Sequence, residues 1–442
     1  MVGSERFWIG DAGLHGIRLS VENGRAMTQK KRNSWLYVPT LYFAEGLPYI
    51  MVNTVSTIMY KKMGMSNEFI GLTSFLYLPW VIKMLWSPVV DVCKTKRLWI
   101  IGSQILMAAV FCLLALGIHS PQFVPLSLGA FIVVAVISAT HDIAIDGYYM
   151  LALDKKKQAF FIGVRSLFYR FAVIFGSGLL VVLAGTMEKN TGDIPLSWSF
   201  VMAVCGVIFF LTFFFHRFYL PFPATDVPGA VCGHDKSFKE AFATYFQQER
   251  IVPILAFILL YRLGEAMLAK MAAPFLLDAP GAGGLGLATA TVGYVYGTVG
   301  VVSLSVGGIL GGWLISRFGL KKCIWPMAVL LNAPDLVYVY MAMVKPFLGA
   351  VYFMVAAEQF GYGLGFTAFS VFLMYIAREP YKTSHFAIST GFMALGMMLP
   401  GMLSGLIQSS LGYVNFFITV FVLTVPGMAL IFFIPLEDIN SR

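Results

Sequence analysis

Charged side chains are scarce in this sequence. Asp, Glu, Lys and Arg together make up only 12% of the 442 residues, whereas hydrophobic residues make up 58% and the mean hydropathy is +0.78. The apolar residues come in runs too long for a soluble core, since a helix needs about 20 of them to cross a bilayer. This composition excludes an ordinary soluble domain and predicts a polytopic membrane protein.

Cysteines are few, and the common nucleotide and hydrolase motifs are missing. The five cysteines are odd in number and fall in apolar runs or on the predicted cytoplasmic side, so we expect no disulfide framework. No G-x-x-x-x-G-K-[ST], G-x-S-x-G or H-E-x-x-H pattern occurs. A G-x-G-x-x-G match at 281–286 has no strand before it and predicts a turn. We expect no enzymatic activity, no ATP-driven transport, and no cofactor or metal.

Twelve apolar runs are long enough to span a membrane. They are 35–60, 69–90, 98–118, 122–153, 159–185, 198–219, 251–276, 288–316, 323–343, 347–376, 385–411 and 413–435. The longest polar stretch divides them six and six. The predicted parts are a polar, disordered tail at 1–34, an N-terminal bundle at 35–219, a central cytoplasmic loop at 220–250 and a C-terminal bundle at 251–442.

Lysine and arginine are distributed unevenly between the two sets of loops. With a cytoplasmic N-terminus, eighteen of them fall in cytoplasmic segments and only four on the other side, namely Lys61, Lys62, Lys189 and Lys345. Because an excess of these residues marks the cytoplasmic side, both termini are predicted to be cytoplasmic. The net charge of +9 therefore reflects topology and predicts no nucleic-acid partner.

Ionisable residues inside the apolar runs are the candidate functional groups. At about 3 kcal/mol each, exposing eleven of them to lipid would cost roughly 30 kcal/mol, more than the ~5–15 kcal/mol stability of a typical fold. They must therefore face one another or a water-filled cavity. The eleven are Glu45, Lys83, Asp142, Asp146, Arg165, Arg170, Arg262, Glu265, Lys270, Asp335 and Glu358.

Depth along each helix, at a rise of about 1.5 Å per residue, predicts which of these residues meet. Asp146 matches Arg165, and Asp142 matches Arg170 one turn deeper. This two-rung ladder either locks the hairpin of runs four and five or contacts substrate or protons. Glu45 and Lys83 reach similar depths and form a third predicted pair, and Arg262 and Glu265 are spaced to bond along one helix.

We further expect five of these residues to line one cavity between the halves. In this hypothesis the bases meet an anionic substrate and a carboxylate carries a proton. The eleven comprise six acids and five bases, so one carboxyl is left to be protonated during part of a cycle, which suits proton coupling. The five are Glu45, Lys83, Arg262, Glu265 and Glu358.

Two loops share a pattern across the halves. Residues 87–97 and 311–322 each follow an apolar run and end in Lys and Arg. The matching sites in the two loops are 226 residues apart. They resemble the G-x-L-x-D-R-x-G-R-K signature of the major facilitator superfamily, with Ser316 at the acidic place. The resemblance implies twelve transmembrane helices in two halves that rock around a central site. It also implies that Asp91, Arg97, Gly312, Arg317, Gly319 and Lys321 belong to cytoplasmic gates.

Further motifs resemble one branch of that superfamily. They are K-M-L-W-S-P-V-V-D at 83–91, A-T-H-D-I-A-I-D-G at 139–147, Y-R-L-G-E at 261–265, and the run from Glu358 to Met374. This branch is the family of peptide–acetyl-coenzyme A–drug transporters, which includes the AmpG-type muropeptide permeases. It implies a monomeric proton symporter that imports an anhydro-muropeptide across the bacterial inner membrane in peptidoglycan recycling. Alternatives are a carrier of acyl-coenzyme A or another anionic metabolite or drug, and a transport-inactive membrane sensor.

His141 and His385 stand where this branch has glutamine. An imidazole has an unperturbed pKa of about 6.5, so it can gain a proton near neutral pH, which an amide cannot do. The two histidines are either neutral, hydrogen-bonded rings or groups that tune coupling and ligand choice.

Overall fold

The computed structural model describes residues 33–224, 226, 240, 242–378 and 381–436, and these residues are helical with no strand. The predicted all-α fold class is confirmed. The expectation of disorder at 1–34 falls almost wholly outside the described residues.

Twelve long helical segments follow one another along the described chain, with shorter helical pieces at 242–246 and Pro280–Ala282. They are α1 (34–62), α2 (67–92), α3 (Lys96–Gly117), α4 (Phe123–Ala152), α5 (155–191), α6 (Ile194–Tyr219), α7 (Ile251–Leu277), α8 (Thr289–Phe318), α9 (Leu320–Val344), α10 (Leu348–Tyr375), α11 (382–411) and α12 (413–432). The non-helical backbone of Gly412, with φ 70° and ψ 168°, separates the last two. We call 34–219 the N-terminal half and 251–436 the C-terminal half.

Nine stretches of the described chain are long and apolar enough to cross a membrane, and one of them, Ser384–Phe432, contains both α11 and α12. The outer surface is apolar, as lipid contact requires: Leu116 is 80% exposed, and Val252 and Ile309 are each 74% exposed. The number of twelve crossings stays a prediction.

Polar caps mark where several helices begin. The side chain of Thr95 accepts a hydrogen bond from the Leu98 amide at 3.2 Å before α3, and Asp154 does the same for Lys157 at 2.8 Å before α5. Asp193 caps α6 through the Leu196 amide at 2.8 Å. Each cap satisfies a backbone donor that the first helical turn leaves open, so these short polar loops end one helix and start the next.

Packing differs between the two ends of the molecule. At the end that carries the 63–66 and 278–288 loops, one hydrophobic core joins both halves, with Leu47 and Val55 of α1 in the same cluster as Met267 and Phe275 of α7. At the opposite end each half has its own core, around Tyr148 in the N-terminal half and around Phe369 in the C-terminal half. The halves therefore meet at one end and enclose a space towards the other.

Glycines allow the close approach at the joined end. A Cβ on Gly297 of α8 would lie 1.9 Å from the carbonyl oxygen of Ser177 in α5, and one on Gly405 of α11 would lie 1.9 Å from that of Asn67 in α2. No side chain fits at these distances, so glycine is required where the backbones of the two halves touch.

Candidate functional site: a cavity between the halves

A cavity of about 620 Å³ lies between the two halves, and its wall combines charged and aromatic side chains. Its charged wall residues are Glu45, Lys83, Asp142, Arg165, Arg170, Arg262 and Glu265. Its aromatic wall residues are Tyr42, Tyr49, Tyr77, Trp80, Tyr169, Tyr296, Tyr362 and Phe366. Four of the five residues expected to share one cavity therefore line it. The fifth, Glu358, is buried behind the wall, where Nε2 of the wall residue Gln359 donates to its oxygens at 3.1 and 3.0 Å.

Two acid–base pairs occupy successive turns of α4. Arg165 Nη2 lies 2.9 Å from Asp146 Oδ1, which confirms the first predicted rung. The same oxygen accepts a hydrogen bond from the Tyr42 hydroxyl at 3.0 Å, and the guanidinium of Arg165 lies 4.6 Å from the centre of the Tyr42 ring. One turn away, Lys83 forms an ion pair with Asp142. Both α4 carboxylates are thus neutralised within the N-terminal half.

The predicted pairs Asp142–Arg170 and Glu45–Lys83 are wrong, because Lys83 reaches Asp142 instead. The predicted depth of Lys83 in the membrane assumes a regular α-helix, but α2 contains 3-10 turns at Thr73–Tyr77 and Lys83–Leu85. A 3-10 turn rises more per residue and has three residues per turn, so it rotates the following side chains to another face. Glu45 keeps its place on the wall, with Oε2 buried and without a hydrogen-bond partner.

Arg170 crosses the cavity to the other half. Its Nη1 donates to Ser305 Oγ of α8 at 3.2 Å, and a Cβ on Gly308 would lie 3.3 Å from its Nη2. Among the described residues no carboxylate pairs with this guanidinium. Its positive charge therefore remains available on the cavity wall.

Arg262 stands at a break in α7, between the helical pieces Ile251–Leu260 and Leu263–Leu277. Its guanidinium donates to the Tyr362 hydroxyl and lies 4.8 Å from the centre of the Phe366 ring. The predicted bond to Glu265 along the helix is wrong, because the break gives Arg262 φ −109° and ψ 19°, outside the helical geometry that the spacing assumed. Glu265 instead faces Asp335 and Glu358 in a buried group of acids.

Neither candidate histidine lines the cavity. His141 is buried inside the N-terminal half, where the side-chain amide of Gln104 lies 3.1 Å from its Nε2 and 2.8 Å from Nδ1 of His216. His385 lies beside the segment that precedes α7, with Nε2 3.1 Å from Thr244 Oγ1. These contacts fit hydrogen-bonded structural rings, and the predicted effect of the histidines on coupling stays untested.

The segment near His385 is held by a second contact. The Tyr381 hydroxyl donates to Glu240 Oε2 at 2.5 Å, and this hydrogen bond raises the pKa of the phenol. The hydrogen bond links Glu240 to the residue that precedes α11.

The predicted gate residues lie at the end of the molecule where the halves are apart. Arg97 is buried, donates from Nε to the Leu220 carbonyl at 3.3 Å and covers the Phe222 ring at 3.9 Å, which ties α3 to the end of α6. Gly319 forms the turn between α8 and α9 with φ 80°. Gly312 in α8 has open space where a Cβ would be, and Arg317 of α8 and Lys321 of α9 are exposed. The side chain of Asp91 lies outside the described part.

Sequence reasoning missed the polar network that closes the joined end. Lys61 Nζ lies 2.6 Å from Asp278 Oδ1, and the Tyr413 hydroxyl donates to Asp278 Oδ2 at 2.7 Å. Asn67 Nδ2 donates to Gln408 Oε1 at 2.6 Å. The sequence predicts only a loop position for Lys61, because a pair between residues 217 positions apart leaves no periodic pattern in the sequence.

The aromatic wall was predicted only in part. Tyr42 and Tyr49 lie in the same apolar run as Glu45, close to it in sequence, whereas no place on the wall is predicted for Tyr169 or Trp80. A tyrosine or tryptophan in an apolar run looks the same whether it faces lipid or a cavity, so only helix rotation distinguishes them.

Comparison with known proteins gives the family. The model of the Major Facilitator Superfamily matches residues 40–378. The chain belongs to this superfamily. The crystal structure of a bacterial homologue of the human lysosomal transporter Spinster, inward-facing and unoccupied, has the same fold, with a TM-score of 0.72 and 16% identity over 90% of this chain and 94% of that chain.

Relatives found by sequence align with nearly the whole of this chain. An anhydromuropeptide permease of Escherichia coli (strain K12) is 25% identical over 415 residues, which is 91% of this chain and 79% of the permease. An uncharacterised protein of Haemophilus influenzae is 24% identical over 419 residues, 90% of this chain and 94% of that protein. The predicted resemblance to AmpG-type permeases is confirmed, and the chain is a multi-pass membrane protein of a transporter family.

Proposed function

We propose that the protein is a proton-coupled symporter that imports an anionic cell-wall fragment, of the anhydro-muropeptide kind, by alternating access. The observation that carries this proposal is the cavity, whose wall holds Arg170 and Arg262 from opposite halves, and neither arginine has a carboxylate partner among the residues that the structure describes. A bound anion can contact both, and so join the halves, without breaking an existing ion pair.

The shape of the cavity also suits such a ligand. Its volume of about 620 Å³ lies within the ~300–1,000 Å³ of small-molecule sites. Sugar rings stack on aromatic faces, and Tyr49 and Trp80 pack edge to face with ring centres 5.2 Å apart on the wall. The name of the Escherichia coli relative supports the same ligand class.

Alternating access fits the unequal ends of the molecule. The polar network around Asp278 and the Gly297 contact close one end, while separate cores leave the halves apart at the other. We propose that the open end faces the cytoplasm and that both termini lie on that side of the bacterial inner membrane. We propose that the protein works as a monomer, because one chain supplies the whole cavity. Transport of this kind requires no enzymatic step.

Uptake into proteoliposomes tests the proposal. With an inward proton gradient, labelled anhydro-muropeptide should accumulate, and collapsing the gradient with an uncoupler should stop accumulation. Arg170→Gln and Arg262→Gln should each reduce uptake more than tenfold, because each removes a charge that the anion contacts. Arg217→Gln is the matched control, since this arginine is exposed and lies outside both the cavity and the predicted gates.

The same assay separates the alternatives. Competition by acetyl-coenzyme A without competition by wall fragments would identify an acyl-coenzyme A carrier. Saturable binding without uptake under any gradient would identify a sensor. If Glu45→Gln and Glu265→Gln both kept wild-type gradient-driven uptake at every pH, proton coupling through these two groups would have to be abandoned.

A further inference from the structure

Three carboxylates from three helices meet inside the C-terminal half. Glu265 of α7, Asp335 of α9 and Glu358 of α10 each present an oxygen within 4.8 Å of the other two, and each residue is at most 2% exposed. Only Glu265 belongs to the cavity wall. We call these three residues the acid cluster.

No base in the described part of the chain neutralises the acid cluster. Among the described residues no ion pair involves any of its three members. Arg262 acts on Glu265 from a distance while it donates to Tyr362, and Lys270, farther along α7, donates to Thr57 Oγ1 of α1 at 3.1 Å. Like charges this close in a low-dielectric interior repel strongly, so the acid cluster needs positive charge from outside the chain.

Its oxygens are also open to a ligand. Both carboxylate oxygens of Asp335 and Oε2 of Glu265 are buried without a hydrogen-bond partner. Buried polar atoms are seldom left unsatisfied, so each such atom calls for a specific explanation. Of the three acids, only Glu358 receives hydrogen bonds of good geometry, from Gln359 Nε2.

A second polar group, independent of the acids, points to the same place. The Tyr338 side chain is fully buried, and its hydroxyl makes no hydrogen bond of good geometry. Glu358, Glu265 and Asp335 all act electrostatically on this hydroxyl, and Glu358 acts on it most strongly of the three. A phenol oxygen beside three carboxylates gives an all-oxygen set of donors.

We propose that Glu265, Asp335, Glu358 and the Tyr338 hydroxyl bind a hard metal cation of the size of Na⁺ or Ca²⁺. Hard cations take oxygen ligands, and Ca²⁺ binds them at about 2.3–2.6 Å, which places oxygens on opposite sides of the ion about 4.6–5.2 Å apart. The spacing of 4.8 Å or less within the acid cluster agrees with this. Glu265 gives the ion a route in from the cavity.

Thermal melting of the purified full chain tests the site without transport, so its result is independent of the uptake assay. The protein is first treated with EGTA and kept at pH 8 in choline chloride, and NaCl and CaCl₂ are then titrated separately. At least one of the two salts should raise the melting temperature by about 3 °C or more, with a saturating dependence on its concentration. A response to Na⁺ alone or to Ca²⁺ alone identifies the ion. Direct binding of ²²Na⁺ or ⁴⁵Ca²⁺ should follow the same concentration dependence.

Variants assign the response to the acid cluster. Asp335→Asn should abolish it, and Glu358→Gln serves the same purpose if Asp335→Asn does not fold. Glu188→Gln is the matched control, because it neutralises a carboxylate of α5 that lies outside both the acid cluster and the cavity wall, and it should keep the response. No rise with either ion in the wild-type protein, or an undiminished rise in the cluster variants, would overturn the proposal.

Discussion

The two halves handle intramembrane charge differently. In the N-terminal half, the α4 carboxylates Asp142 and Asp146 each have a base within the same half, Lys83 and Arg165. In the described part of the C-terminal half, no base pairs with the acid cluster, and Arg262 instead donates to a phenol and lies over aromatic rings.

This difference separates two roles for charge in one fold. A paired carboxylate holds helices together with its own counter-charge, at little net gain, because desolvation offsets much of the attraction. An unpaired group of acids stays costly until protons or a cation bind, so its stability depends on the solution. If the proposed cation site exists, the acid cluster makes the stability of the C-terminal half depend on ions, whereas the two α4 pairs carry their own counter-charge.

Removing Lys83 should break the N-terminal pairing most severely. Lys83→Met leaves Asp142 without its base, and we expect a loss of about 1–3 kcal/mol, less than the ~3–5 kcal/mol of a fully buried pair because the Lys83 side chain is 36% exposed. Uptake should fall more than tenfold. Melting temperature and uptake of Lys83→Met and of Lys83→Met/Asp142→Leu provide the measurement. If the double variant recovered both the melting temperature and the uptake of the wild-type protein, the Lys83–Asp142 pair would have only a structural role.

Removing Arg165 should cost less. Asp146 is 42% exposed and keeps the hydrogen bond from Tyr42, so Arg165→Met should lose roughly 0.5–1.5 kcal/mol. The melting temperature should therefore fall between those of wild-type protein and Lys83→Met. A larger drop than in Lys83→Met would contradict the ranking of the two pairs.

Neutralising one carboxylate of the acid cluster should raise the stability of the protein, whereas the two changes above should lower it. In metal-free choline buffer at pH 8, Asp335→Asn removes like-charge repulsion at nearly constant shape, and we expect a gain of about 1 kcal/mol. The matched change in the other half, Asp142→Asn, should destabilise, because it leaves Lys83 without its carboxylate. Melting curves of both variants measure the two signs, and equal signs would end the distinction between the halves.

The histidines should have the smallest effect. His141→Gln and His385→Gln both lie off the cavity wall, so uptake between pH 5.5 and 7.5 should keep its profile within about twofold. Initial rates across this range measure the effect. A flattened profile in either variant would restore the hypothesis that these rings tune coupling.

The sequence predicted the charged residues of the site better than their partners. Hydropathy and the cost of charge in lipid selected Glu45, Lys83, Arg262 and Glu265, and all four line one cavity. The Asp146–Arg165 pair was found because α4 and α5 are regular there, so depth alone brought the groups level. The Lys83 pairing failed because 3-10 turns changed the direction of its side chain.

By itself the sequence determined the membrane class, the superfamily and the set of buried charges, since long apolar runs, loop motifs and ionisable residues are local properties of the chain. Only the tertiary structure decided that Asp335 joins Glu265 and Glu358, that Arg170 reaches α8, and that Lys61 closes one end on Asp278. Those contacts depend on how each helix is rotated about its axis and where it bends. Rotation and bending arise from packing between distant segments, such as Gly297 against Ser177, and short-range sequence patterns do not contain them.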